Sequence, residues 1–365
     1  MDIPDILYDH QAFEMQRFGG ISRYFYELRR CLGADTRLSL GVSTNYYLHA
    51  DPLIRKEAGF YLPERPYKWF KGVVKKYNEE ISIRVLKQGR FQVFHPTYYN
   101  PYFLPYLSGK PYVITVHDMT HELFPQYFGN AEKMKTWKSE TIRRADHIIA
   151  ISENTKADIV RLLQIPPERI SVVYHGTSAI RSTYTGLSLP EHYLLFVGDR
   201  HGYKNFNRFL DAYCQLSAEY PELYLLCVGK AFRKAELERF RELGLASRIR
   251  HYSVSDEALS QLYRQALVFV YPSLYEGFGF PVLEAYTNDC PVALSRASCF
   301  PEIAGEAGAY FNPESPEDMV SVIDGLLRND ALRNRLVRLG KERLALYSWE
   351  KTARETLEVY RSVAR

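Results

Sequence analysis

Cysteine is scarce in this chain and poorly arranged for structural work. There are five, Cys31, Cys214, Cys227, Cys290 and Cys299, an odd number with no CxxC pair. That pattern excludes a disulfide framework and a structural zinc site, and it suits a reducing compartment. Long apolar runs are also missing: none approaches the ~18 residues needed to span a bilayer. The opening MDIPDILYDH lacks the basic-then-apolar pattern of a secretory leader, so a soluble cytoplasmic protein is expected. Neither a GxGxxG fingerprint nor an Asp-x-Asp motif occurs. Net charge is only +4, with no recognition motif beside it, and nucleic acid is a poor fit as partner.

What charge excess exists is local. Of 47 Lys+Arg and 43 Asp+Glu, residues 1–180 hold 24 and 19, and the remainder 23 and 24. Much of the surplus lies in residues 65–90, RPYKWFKGVVKKYNEEISIRVLKQGR, where basic groups alternate with Tyr67, Trp69, Phe70 and Tyr77. Two readings stay open: peripheral contact with the anionic inner face of the plasma membrane, or a solvated helix face beside a variable loop.

At 365 residues the chain is about twice a typical ~150-residue domain. Short runs rich in β-branched and aromatic residues begin at 5, 92, 112, 147 and 170, with helical spacing between several of them, as in ISRYFYELRRCL from 21 and AEKMKTWKSETIRRA from 131. After the polar, proline-ended stretch SAIRSTYTGLSLP, the alternation starts again with strands from 193, 223, 249 and 267 and helices from about 205, 232, 256, 280 and 316. Strands alternating with helices predict α/β parallel sheets covered on both faces. The division expected is two Rossmann-like doubly wound domains, 1–182 and 190–346, facing a central cleft. A terminal helix follows in 347–365, and packing back on the first domain is one option for it.

In such sheets ligands bind where strands end and helices begin. Three places stand out. RFGGISRY follows the first strand, and Gly19 and Gly20 let a backbone approach an anion such as a diphosphate. TVHDMTHELFP places His117 and Asp118 at a strand end. YPSLYEGFGFPVLEA sets Glu276 in a glycine-flanked loop and Glu284 eight positions later, within the first turn of a helix opening near Pro281. Two carboxylates there could grip two parts of one nucleotide-sugar, with the amides of Gly277, Phe278 and Gly279 meeting phosphate or sugar oxygens. The plain alternative is a helix N-terminal Glu beside a solvated loop Glu. His117 and His121 invite a metal reading, but no third ligand is apparent, and no required metal or other cofactor is expected.

EGFGFPVLEA resembles the E-x7-E signature of family-4 retaining glycosyltransferases, which have the GT-B fold, and HDMTHELFPQYF is similar to the versions in their bacterial mannosyltransferase and related deoxyhexose transferase branch. GGISRY, His117-Asp118, SENTKAD at 152–158, YHGTS at 174–178 and FVGDRHGYKN at 196–205 resemble the family's other segments in order and spacing. The resemblance implies that Glu284 binds the nucleotide ribose, that Glu276 holds the hydroxyls of the transferred sugar, and that Lys204 pairs with the diphosphate, with Gly20 contacting that group. It implies His117 near the reacting carbon. Where the family often carries an Arg beside or five before this Lys, Tyr203 and Asp199 stand here, and Arg200 takes that role instead. Retention of configuration by a front-face route follows from the same resemblance.

Acceptor candidates are Arg23, Tyr98, Tyr99, Asn100 and Asp118, the tyrosines being suited to stack on and bond to a saccharide, although packing explains that loop equally well. The partners expected are a nucleotide-sugar, GDP-mannose or a related GDP-hexose first, and a saccharide or lipid-linked saccharide acceptor in polysaccharide or O-antigen synthesis. A UDP-sugar transferase, a nucleotide-sugar epimerase and a non-catalytic carbohydrate-binding relative are the alternatives.

Overall fold

The computed structural model describes residues 3–178 and 181–364. The chain divides into two compact units, Met1–Gly176 with Ser348–Arg365, and Thr177–Tyr347.

The first unit contains strands β1 (Ile6–Tyr8), β2 (Thr36–Leu38), β3 (Val42–Ser43), β4 (Phe60–Tyr61), β5 (Val93–His95), β6 (Val113–Val116), β7 (His147–Ala150) and β8 (Ile170–Val172). Its helices are α1 (Gln11–Met15), α2 (Gly20–Leu32), α3 (Tyr46–Ala50), α4 (Glu64–Gln88), α5 (Thr120–Leu123), α6 (Ala131–Arg144) and α7 (Glu153–Leu163). Two parallel ladders, β2-β1-β5 and β6-β7-β8, are joined by a bridge between Phe94 and Tyr112; β3 and β4 form a separate parallel pair. β1, β5 and β6 are buried along their whole length and mostly apolar, as strands covered by helices on both faces must be, His95 and Thr115 being their polar members.

The second unit is a six-stranded parallel sheet of β9 (Tyr193–Val197), β10 (Tyr224–Val228), β11 (Ile249–Tyr252), β12 (Val268–Tyr271), β13 (Val292–Ser295) and β14 (Gly308–Phe311), in the order β11-β10-β9-β12-β13-β14. Around it run α8 (Phe206–Glu219), α9 (Lys234–Glu242), α10 (Asp256–Gln265), α11 (Phe280–Thr287), α12 (Phe300–Ala304), α13 (Pro316–Arg328) and α14 (Asp330–Leu344). Phe196, Phe206, Phe209, Leu225 and Phe311 lie in its core. The strand order reverses between β9 and β12, and this is where doubly wound sheets open a crevice for ligands.

The stretch read as a linker is held down. Ser182 N donates to Ser260 Oγ (2.9 Å), Leu187 N to Gln261 Oε1 (3.0 Å), and Arg264 Nη2 to Tyr184 O (2.7 Å), so α10 anchors it; Ala179 and Ile180 of that stretch lie outside the described residues.

The last helix, α15 (Trp349–Val363), belongs to the first unit. Ser348 caps it, its Oγ accepting from Lys351 N at 3.1 Å. Tyr360 is buried, with its hydroxyl 3.1 Å from that of Tyr8 and 2.6 Å from His95 Nδ1; His95 Nε2 continues to Thr115 Oγ1, and that hydroxyl to Tyr24. One chain of buried hydrogen bonds thus ties β1, β5, β6 and α2 to α15. Gly176 permits a close approach of backbone to α15: a Cβ there would lie 2.2 Å from Trp349 N.

Candidate active site

In the second unit the polar groups gather at the carboxyl ends of β9 and β12. After β9 the chain turns through a short 3-10 segment, Gly202–Lys204, and Asn205 takes a left-handed conformation (φ 59°) before α8. Asn205 holds that turn by donating from Nδ2 to Pro272 O (3.0 Å) and Pro313 O (2.7 Å). Lys204 is thereby aimed at the loop after β12, where its Nζ donates to Glu276 Oε1 at 2.7 Å. Both side chains are largely buried, 19% and 13% exposed. Burial alone would lower the Lys204 ammonium, but the neighbouring Glu276 and Tyr203 outweigh it and raise its pKa.

Glu276 is fixed from two sides. Its backbone N donates to Ser298 Oγ (3.1 Å) and its carbonyl accepts from the same hydroxyl (2.5 Å). The hydroxyl of Tyr271, pushed up by burial and further by its bond to Glu276, meets the carboxylate. Glu284 accepts from the Tyr263 hydroxyl at 3.0 Å. Between the two carboxylates, Gly279 sits at φ 88° as the N-cap of α11, which a side-chain-bearing residue would adopt only under strain. Gly277 is half-buried, while the Phe278 ring is buried against Phe280 and Tyr347, which leaves its backbone as the part able to address a ligand. α11 begins at Phe280, with no acidic residue in its first turn. Glu284 therefore opens the second turn, one step later than expected, and the helix-dipole explanation for it loses its footing.

Arg200 is engaged within its own unit. Its guanidinium is buried, bonded to Glu236 Oε1 (2.9 Å) and to the carbonyls of Lys230 (2.7 Å) and Ala231 (3.1 Å), over the Phe232 ring at 4.8 Å. It braces the loop after β10; Nη1 alone lacks a partner among the described residues.

The first unit brings its candidates to the carboxyl ends of β1, β5 and β6. Gly19 is extended and precedes α2, with Gly20 as the first helical residue. A Cβ on Gly19 would lie 2.4 Å from Gln16 Oε1, which already accepts from Ser22 N at 3.0 Å, so one of the helix-opening amides is taken by this chain's own side chain. Arg23, one turn in, lies 5.9 Å from the Tyr47 ring centre.

His117 follows β6, its N donating to the Tyr99 hydroxyl at 3.0 Å. Its ring packs edge-on to Tyr24 (5.4 Å) and close to His175 (5.9 Å). Nε2 is buried with no partner among the described residues, and burial lowers its pKa to about 4. A neutral, unsatisfied imidazole at a strand end is able to bond a hydroxyl. Asp118 is half-buried. Burial raises its carboxyl, but Lys138 and the Thr120 amide outweigh that and bring it down to about 2.

Packing claims part of the acceptor set. Tyr99 is buried and acts by holding His117, with Lys138 Nζ 5.1 Å from its ring. Asn100 caps the turn that follows, its side chain accepting from Tyr102 N at 3.3 Å. Asp118 Oδ1 is held by Lys138 at 3.2 Å. Tyr98 is half-buried and lines a pocket. Sequence reading missed Tyr263, Ser298 and Lys138, each of which orients a candidate through a contact some twenty residues away, and Tyr271, which meets Glu276 five residues on. Among the described residues no three His, Cys, Asp or Glu side chains come together as a metal-binding set.

Two doubly wound parallel units with polar, glycine-bearing loops at their strand ends define a GT-B fold. Solved structures agree: sucrose-phosphate synthase from Thermosynechococcus elongatus has a TM-score of 0.75 at 20% identity over 98% of each chain, and Anabaena Alr3699/HepE in complex with UDP-glucose has 0.75 at 15% over 98% of this chain and 99% of that one. The sequence family described as Glycosyltransferase Family 4 matches residues 18–180, and Glycosyl transferases group 1 matches residues 185–343. O-antigen chain mannosyltransferase B of Escherichia coli is 30% identical over 284 residues, 72% of this chain and 74% of that one. O-antigen chain mannosyltransferase RfbU of Salmonella typhimurium is 27% identical over 264 residues, 72% and 71%. This chain belongs to glycosyltransferase family 4 and is a glycosyltransferase.

Proposed function

We propose that the protein transfers a hexosyl group, mannose from GDP-mannose first, to a saccharide or lipid-linked saccharide in bacterial polysaccharide or O-antigen assembly, with retention at the anomeric carbon and no required metal. The observation that carries this reading is the Lys204–Glu276 pair at the β9/β12 switch point, beside the glycine-capped start of α11. In this scheme Glu284 holds the ribose, Glu276 the sugar hydroxyls, and Lys204 the diphosphate as charge develops on it. The acceptor oxygen bonds to the anomeric carbon as the bond to the diphosphate breaks, and the departing phosphate oxygen takes the acceptor's proton. Mannose is favoured because the two bacterial relatives named above are O-antigen mannosyltransferases. The neighbours solved with UDP are too distant in sequence to argue for that base.

The protein acts, in this reading, at the inner face of the cytoplasmic membrane. Supporting this, Trp69, Phe70, Val73 and Tyr77 are exposed along one side of α4. Among the described residues no helix is long and apolar enough to cross a membrane.

The test is a screen of nucleotide-sugars with purified protein and acceptor mixtures, followed by linkage analysis. Transfer from GDP-mannose with an α-linked product is expected. Turnover confined to UDP-sugars would reject the donor, a β-linked product would reject retention, and an epimerised nucleotide product without acceptor would replace transfer by epimerisation.

A further inference from the structure

A pocket of about 380 Å³ in the first unit lies between α1, α4, α6 and the loop after β5. Tyr98 lines it, and so do three lysines, Lys71 and Lys75 one turn apart on α4 and Lys133 on α6. Three other lysines on these helices pair with carboxylates, Lys68 with Glu64 (2.7 Å), Lys135 with Glu132 (2.8 Å) and Lys138 with Asp118 (3.2 Å), while Lys76 and Lys87 of α4 line no part of this pocket. Lys71, Lys75 and Lys133 form no such pair among the described residues. The carboxylate in the wall, Glu14, is buried and accepts from Asn78 Nδ2 at 3.1 Å. Three exposed lysines thus line a pocket whose one carboxylate is already engaged elsewhere. Opposite α4, Trp137 lies with Lys133 Nζ 4.3 Å from its ring centre, and Tyr98 stands beside Tyr99 at 4.6 Å.

We infer that this pocket receives a saccharide bearing a phosphate or diphosphate, the lysines binding the anion and the Tyr98 and Trp137 rings flanking the sugar. An excess of unpaired ammonium groups selects an anion, and aromatic walls with polar tips suit a carbohydrate. A sugar alone would leave the three charges unanswered, and a bare phosphate would leave the rings unused. Calling this ligand the acceptor rests on the transferase reading above. The donor is a less suitable occupant, since the Lys204, Glu276 and Glu284 constellation stands in the other unit.

The test is calorimetric titration of the intact protein with octyl α-mannosyl diphosphate and with uncharged octyl α-mannoside. At least tenfold tighter binding of the diphosphate is expected, falling to less than threefold in Lys71→Ala/Lys75→Ala and largely kept in Lys71→Arg/Lys75→Arg; circular dichroism and thermal melting check the fold of each variant. Equal affinities, or a preference untouched by the alanine pair, would overturn the inference. So would inorganic pyrophosphate binding as tightly as the glycosyl diphosphate, which would mean that the rings read no sugar. Lysine-dependent capture by phosphatidylglycerol vesicles without a preference for the soluble glycosyl diphosphate would reassign the lysines to lipid headgroups. A separate assay of nucleotide-sugar turnover keeps the two readings apart: no turnover with any donor removes the word acceptor, while the diphosphate preference stands or falls by titration.

Discussion

A lysine ammonium has three donors and a carboxylate two acceptor oxygens, so Lys204 and Glu276 can hold each other through one bond and each still address a substrate. The same pairing dictates how the site must be probed. Removing the carboxylate outright leaves a largely buried ammonium uncompensated, which costs about 3–5 kcal/mol in a buried pair. Glu276→Gln keeps an acceptor for Lys204 and is the cleaner change: transfer should fall on the order of 100-fold, with the melting temperature close to that of the wild type. Undiminished turnover would remove Glu276 from the mechanism. Tyr263→Phe withdraws the hydroxyl that orients Glu284. A bond to a charged group is worth about 1.5–3 kcal/mol, so KM for the donor should rise about tenfold while kcat changes little; a change confined to kcat would argue against a binding role for Glu284.

At the scale of elements, α4 shows two faces of different chemistry. Successive residues advance by about 100°, so Trp69, Phe70, Val73 and Tyr77 fall within one sector, whereas Tyr67, Val74 and Asn78 face inward. This outward sector is what a membrane-contact reading of residues 65–90 would use, with Trp69 86% exposed. Changing Trp69 and Phe70 together to Ser should reduce sedimentation with phosphatidylglycerol vesicles at least fivefold and leave the melting temperature unchanged. Equal sedimentation of both proteins would leave that face without a membrane role.

Element identity was largely legible because buried parallel strands leave apolar runs that need no partner to be recognised, as in YVITVHD and YLLFVGD. VALS at β13 and GAYF at β14 were missed: they are short and rich in small residues, and their strand character comes from pairing with β12 and with each other. Positions of Lys204, Glu276 and Glu284 could be read from local motifs. Their supports could not, since Tyr263 and Ser298 reach them across 21 and 22 residues of sequence. The partners of Arg200 were hidden for the same reason, lying on the loop after β10 and on α9.

At the scale of the molecule, the first unit carries four buried histidines that burial holds toward the neutral form, His10, His95, His117 and His175. Burial lowers His95 to about 3 and His117 to about 4, and holds His175 well below its ordinary value. The unfolded chain takes up protons near pH 6.5 that the folded unit refuses. Stability contributed by keeping these rings neutral is therefore complete above pH 6.5 and is lost as pH falls toward the folded values, by about 1.4 kcal/mol per pH unit for each ring. Urea midpoints should drop steeply between pH 6.5 and 4.5. A flat profile through that window would show that the rings accept protons in place. Asp118 adds a later loss, between its ordinary value of 3.8 and about 2.

The contact of Gly176 with Trp349 has a temporal meaning. Where the chain leaves the first unit and where it returns are neighbours, so residues 177–347 form an insertion within a unit whose last helix is made last. On the ribosome, the inserted unit has its whole sequence before the earlier one receives Tyr360 and can close the hydroxyl chain from Tyr8 to Tyr24. Synthesis order and completion order are thus reversed between the two units: the unit begun first is finished second, once α15 has been made.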